Sequence, residues 1–278
     1  MRGLTASVLN IDQAALTIHV LERLESLSSA GWSVQLVLVD NGSRPEELQQ
    51  LVDWFAAHGH RFGEMLLVAS SRNRGADGGR NVALTLALHD RILILDNDVI
   101  LPEEPQWLEA LWRHMERDPE IGIVAPLLVF ADYPDIAQSA GIALTEQGRV
   151  GYLNRADAVA SVPPGLAEVV AAPSACWLVR QSAQRAVGLW SSEFHPMQYG
   201  DVDFCVRLGV AGWKIVCDRD VRVRHIENVT TRSLKGVSYA RVAVEHSLLF
   251  REKWSHLLPR IAAITDDDIY WRPIPRVP

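Results

Sequence analysis

Apolar positions along the first hundred residues fall into two alternating rhythms. Short continuous runs, Leu4 to Leu9, Val34 to Val39, Met65 to Val68 and Ile92 to Leu95, read as buried strands. Between them apolar residues recur every three or four positions: Leu16, Val20, Leu21, Leu24 and Leu27, then Leu48, Leu51, Val52 and Phe55, then the stretch Val82 to Leu88. That spacing predicts helices with one apolar face. Asp12 is the expected N-cap of the first helix and Gly31 its stop, while Pro45 opens the second, which should run to about His58. Strand and helix thus alternate four strands deep. This predicts a Rossmann-like, mostly parallel central sheet with helices on both faces and right-handed crossovers.

After Asp98 the regularity fades. Trp107 to Met115 reads as a helix and Ile121 to Phe130 as a strand. Residues 132 to 165 are mixed, with weak strand signals around Gly141 and Gly151, and Glu168 to Val179 is apolar. A helix is expected from Asp201 to about Val210, then strands Lys214 to Val216 and Val221 to Val223, then a last helix from Val237 to Trp254. The tail beyond Asp266 carries Pro273, Pro275 and Pro278 and is expected as an extended wrap or loose end. The chain reads as one α/β domain: residues 1–100 carry the regular alternation, residues 101–258 the mixed second half, and residues 259–278 form a tail.

Composition narrows this picture. With 48% apolar residues among 278 the chain can bury a large core, and a net charge of -7 provides no general basic surface for nucleic acid. Cys176, Cys205 and Cys217 lack metal-binding spacing, and an odd count suggests reduced thiols in a cytoplasmic protein. No apolar run reaches the roughly 20 residues of a membrane span, and Met1 to Thr5 does not begin a signal peptide.

The candidate chemistry sits where the strands end. Ligands of open α/β sheets bind beyond the carboxyl ends of the strands. Asn10, Asp40, the glycine-rich stretch Asn73 to Asn81, and Asp96 with Asp98 all fall at such ends. In an extended segment residues i and i+2 point the same way, so Asp96 and Asp98 form a site suited to a hard cation. The simpler reading of Asp96-Asn97-Asp98 is a solvated turn. Gly75, Gly78 and Gly79, entering a helix, would let backbone N–H groups approach a phosphate. Their spacing is not the dinucleotide fingerprint, so a nicotinamide cofactor is not indicated.

Taken together and in order, the segments ending at Asn10, Val39 to Ser43, Asn73-x-Gly75 with Gly79-Arg80-Asn81, Asp96-Asn97-Asp98, Asp201 to Arg207, and the strand ending at His225 resemble the family 2 glycosyltransferases of GT-A fold. The resemblance covers about residues 4 to 255. It implies an inverting, metal-dependent transfer of sugar from a nucleoside-diphosphate sugar to an acceptor hydroxyl on a glycan, lipid-linked sugar or natural product. It further implies that Asp40 contacts the nucleobase or ribose with Asn10 beside it, and that Arg80 and Asn81 hold the nucleotide. Asp96 would lie near the ribose and metal, Asp98 and His225 would bind Mg2+ or Mn2+, and Asp201 would be the catalytic base.

The sequence also departs from the pattern. The family usually carries Glu before the Asp that here is Asp201, and this chain has Gly200. The Gln-x-x-Arg-Trp motif of processive synthases is absent, which argues for one sugar per acceptor. Asp203 reads as a structural acid at a helix start. Trp190, close before Asp201, is the tryptophan to test as an acceptor platform. Two rival readings remain: a sugar-phosphate nucleotidyltransferase, whose expected Gly-rich loop is missing from residues 8 to 20, and a non-catalytic nucleotide-sugar-binding protein, suggested by Gly200.

Overall fold

The computed structural model describes residues 2–227 and 238–269. Its first half follows the expected alternation: β1 (Arg2–Asn10), α1 (Ala14–Ser29), β2 (Trp32–Asp40), α2 (Pro45–His58), β3 (Glu64–Ala69), α3 (Gly75–Leu86) and β4 (Arg91–Asp96). These strands pair in parallel, with Asn10 opposite Asp40 and Leu9 opposite Asp96, so their carboxyl ends lie flush. A short β5 (Val99–Ile100), α4 (Gln106–Arg117) and β6 (Ile121–Phe130) follow.

The second half adds β7 (Tyr133–Ser139), β8 (Ile142–Leu144), β9 (Val150–Tyr152), β10 (Leu166–Glu168), β11 (Cys176–Arg180), α5 (Gln181–Val187), α6 (Gly200–Val210), β12 (Lys214–His225), α7 (Tyr239–Trp254) and α8 (Leu258–Ile261). The main sheet runs β10-β12-β6-β11-β4-β1-β2-β3. Along that path only β10 and β11 run against the rest. β6 and β12 therefore end on the same edge as β1, β2 and β4.

Alternation along β4 decides which core each residue joins. Leu93 and Leu95 pack toward α1, α2 and α4, while Ile92 and Ile94 pack toward α3, α5, α6 and α7. Helices thus cover both faces, as the doubly buried strand pattern requires. Cys176, Cys205 and Cys217 are free and buried. Among the described residues no helix is long and apolar enough to cross a membrane.

Three local expectations change. The third helix starts before Val82: α3 already begins at Gly75, within the glycine-rich stretch. Gly79 lies where a Cβ would run into Leu9, so its bare backbone lets α3 settle on β1. Asp12 does not cap α1; that position is Gln13, and the Asp12 carboxylate instead accepts from the Arg44 N–H at 2.7 Å. The two strands expected after Lys214 are one, bulged between Asp218 and Arg222. The shift falls opposite Pro126, which has no N–H to give the ladder. The last helix is described from Tyr239; Val237 and the tail prolines Pro273, Pro275 and Pro278 lie outside the described residues.

Candidate active site

The flush strand ends floor a cavity of about 520 Å³. Asp96 closes β4, and Asp98 follows two residues later, immediately before β5. β5 pairs with the end of β12, placing His225 opposite Val99, and Ile226 N–H donates to the Asp98 carbonyl at 2.9 Å. This pairing draws His225 from 127 positions away in sequence, counted as 225 minus 98, to within 3.2 Å of Asp98 (Nε2 to Oδ1). One ligand atom from each of Asp96, Asp98 and His225 lies within 4.8 Å of the others.

Two carboxylates and an imidazole so arranged suit a divalent cation. His225 Nδ1 lies 2.7 Å from Gln138 Oε1; with Nδ1 as the donor of that bond, a neutral ring would turn its Nε2 lone pair to the cluster. Burial alone would lower the His225 pKa, but its hydrogen bond to Asp98 and the charges of Asp98 and Asp96 outweigh this and raise it. Burial, with the charge of Asp98, raises the Asp96 pKa against the pull of Arg80. A cation placed among these groups would relieve both.

Arg80, on α3, forms the next layer. Its Nη2 donates to Asp96 Oδ1 at 2.5 Å and its guanidinium lies 4.9 Å from the Trp190 ring. Trp190 is 3% exposed and stacks on both Trp177 and Phe204. Its ring is therefore committed to holding Arg80 and packing the core, not laid open as a sugar platform. Asn81 is equally committed. It donates to the Trp190 carbonyl at 2.9 Å and accepts from the Trp190 N–H at 2.8 Å, and it does not line the cavity.

Asp201 stands across the cavity in the first turn of α6, half-buried and lining the space. Burial raises its pKa against the pull of Arg80 and two backbone hydrogen bonds. A basic carboxylate facing a cavity is what proton abstraction needs. Gln198 and Tyr199, just before α6, both have left-handed backbones (φ 71° and 65°), a strained entry for residues with side chains. Asp203 fits its structural expectation: it is fully buried and accepts from Arg207, Trp254 and Lys253 at 2.9 to 3.0 Å.

Asp40 differs from the expectation of direct contact. It is fully buried beneath the cavity, and its carboxylate accepts from Asn10 Nδ2 at 2.7 Å, from the Ser43 hydroxyl, and from the Ser43 N–H at 3.1 Å. Asn10 does line the cavity, and its Oδ1 accepts from Thr17 at 2.7 Å and Asn97 at 3.1 Å. Asp40 therefore acts on the cavity through Asn10 and the β2–α2 turn. Sequence reasoning missed Gln138, Tyr199 and Asp77 in the lining. The first two lie where the pattern is weakest. Asp77 carried a signal, a single acid inside a glycine-rich run.

Residues 19–157 match the model of glycosyl transferase family 2. A curated relative, the O-antigen biosynthesis protein RfbC of Myxococcus xanthus, is 25% identical over 204 residues, 71% of this chain. The chain spans 15% of that relative's length. Among solved structures it is similar to GalNAc-T7 with UDP, GalNAc and Mn2+ (TM-score 0.68, 14% identity, 92% of this chain and 50% of that one). It is similar to the mannosyltransferase PcManGT of Pyrobaculum calidifontis with GDP-Man and Mn2+ (0.58, 16%, 93% and 71%). It is also similar to S. aureus TarS 1-349 with UDP-GlcNAc (0.60, 14%, 96% and 69%). At these identities the likeness establishes the fold.

Proposed function

The chain belongs to glycosyl transferase family 2, and from that premise we propose that it moves one sugar from a nucleoside-diphosphate sugar to an acceptor hydroxyl, with a divalent cation and with inversion at the anomeric carbon. The carrying observation is the convergence, around one cavity, of Asp96, Asp98 and His225 on one side and Asp201 on the other. Asp98 and His225, with Asp96 beside them, would hold Mg2+ or Mn2+. When bound, the cation supplies Lewis-acid stabilisation of the diphosphate leaving group.

The protein's own groups do the rest. Asn10, supported from below by Asp40, lines the nucleotide end. Arg80 fixes Asp96 and adds positive charge near the diphosphate. Asn81 keeps Arg80 in place through Trp190. Asp201 takes the proton of the acceptor hydroxyl as that oxygen bonds to the anomeric carbon. The bond from that carbon to the diphosphate oxygen breaks, and its electron pair leaves with the nucleoside diphosphate. Attack opposite the leaving group inverts the centre. Residues 1–100 supply most of the donor side and residues 101–258 most of the acceptor side, with His225 and Asp77 crossing between the two. The O-antigen relative supports a glycan acceptor.

The test incubates the chain with UDP-, GDP- and dTDP-sugars, p-nitrophenyl glycoside acceptors, and Mn2+ or Mg2+. Release of nucleoside diphosphate with a product of inverted configuration by NMR is expected, and chelation should stop it. Retained configuration, or transfer that survives chelation, would overturn the proposal.

A further inference from the structure

A buried acid outside the set above lies beside Asp201. Asp77 sits in the first turn of α3, is 5% exposed and lines the cavity. Its Oδ2 has no hydrogen-bond partner among the described residues. Leaving a buried carboxylate oxygen unpaired is costly, so its retention asks for a reason.

Capping of its own helix is not that reason. The N–H groups at the start of α3 are already taken: Arg74 donates to Asn41 Oδ1 at 2.9 Å, Gly75 to Asn73 Oδ1 at 2.7 Å and Ala76 to the Pro196 carbonyl at 2.9 Å. Nor is it paired with Arg80, whose short contact goes to Asp96. What accommodates the carboxyl is Gly200. A Cβ at that residue would collide with both carboxylate oxygens of Asp77. Gly200 opens α6 and immediately precedes Asp201, so a carboxyl from α3 fills the space that a side chain at 200 would take. This is the position at which the sequence departs from the Glu expected there.

We propose that Asp77 is the second carboxyl of the acceptor-facing wall, receiving a hydrogen bond from an acceptor hydroxyl and holding the reacting oxygen toward Asp201. The inference rests on the reading of Asp201 as the base. Burial pushes the Asp77 pKa up to about 7, against Arg80 and with the charges of Asp201 and Asp203 adding to the rise. A hydroxyl donor would restore the hydrogen bond that burial removed.

The experiment compares Asp77→Asn, Asp77→Gly, Gly200→Glu and the double variant Asp77→Gly/Gly200→Glu, with the donor and p-nitrophenyl glycoside that the wild type accepts. Readouts are acceptor KM, donor KM, UDP binding in Mn2+ by calorimetry, and Tm. Both Asp77 variants should raise acceptor KM about 10-fold or more, the scale of a lost hydrogen bond to a charged group. Donor KM and UDP binding should stay within about two-fold. Gly200→Glu alone should be the weakest enzyme of the four, because its Cβ runs into the carboxyl of Asp77. The double variant should recover acceptor KM beyond the sum of the singles. An unchanged acceptor KM in Asp77→Asn, which keeps shape and fold, would overturn the proposal, as would an equal change in donor KM or an additive double variant. A wild type that transfers nothing would instead overturn the function reading on which this rests.

Discussion

The two carboxylate-bearing walls of the cavity are built on opposite principles. On the strand-end side, Asp40 is fully buried and its oxygens meet three donors, from Asn10 and Ser43. On the α3–α6 side, Asp77 has an oxygen without a partner among the described residues, and burial raises the pKa of both Asp77 and Asp201. A satisfied buried acid stabilises the structure around it. An unsatisfied acid facing a cavity stores free energy that a ligand can release. Under the proposed function, the difference separates residues that build the site from residues that use it, although all are acids near one cavity.

Substitutions should separate these classes. The largest effect is expected at the cation cluster. Asp98→Ala should eliminate detectable transfer and Mn2+-dependent nucleotide binding, and titration of UDP with and without Mn2+ checks this. Unchanged affinity in Mn2+ would remove Asp98 from the cluster.

Asp201→Asn should come next, lowering kcat by roughly 10²- to 10⁴-fold, the range of a positioned base. Nucleotide binding should hold, since Asp201 stands across the cavity from the cation cluster. A near-wild-type rate would assign the base elsewhere.

Asp40→Ala should show the reverse profile. Its removal strands the Asn10 and Ser43 donors, at about 1–3 kcal/mol for each buried group. A Tm several degrees lower is expected, with weaker nucleoside diphosphate binding as the turn loosens. A variant with wild-type Tm would place Asp40 among the ligand-facing acids.

The smallest effect is a pH dependence of stability. The Asp77 pKa is raised in the fold from 3.8 to about 7, so the fold holds this proton more tightly than the unfolded chain does. That stabilisation is fully present below about pH 4 and is lost as pH rises through about 7. Asp77→Asn mimics the protonated form at every pH. Its Tm should match wild type near pH 4 and exceed it by about a few degrees at pH 8. A gap that does not grow with pH would mean that Asp77 is not desolvated in solution.

Much of the strand-end wall was legible in the chain. An apolar run that stops at Asp96, or at Asn10, announces both a buried parallel strand and the polar group at its mouth, because side-chain period and strand-end position are local properties. The continuous burial of β6 and the 3.6-residue rhythm of α1 and α2 were legible for the same reason. What each polar group does at the mouth was not. Whether Asp40 faces a ligand or Asn10, and whether Asn81 touches nucleotide or Trp190, depends on neighbours 30 and 109 positions away.

The α3–α6 wall was decided almost wholly by tertiary structure. Gly200 read as a lost side chain; only the packing of α3 across α6 turned it into room for the Asp77 carboxyl. His225 reaches Asp98 because β12 pairs with β5, a register no local pattern encodes. Trp190 stood out as the tryptophan to test as an acceptor platform; stacking on Trp177 and Phe204, with Arg80 over its ring, buries it. The sequence by itself determined the elements, their order and the edge at which chemistry collects, because hydrophobic periodicity and strand-end polarity act over a few residues. The tertiary structure decided which acids are satisfied and which are left to a ligand, because hydrogen-bond partners and desolvation are set by residues the chain brings together only when it folds.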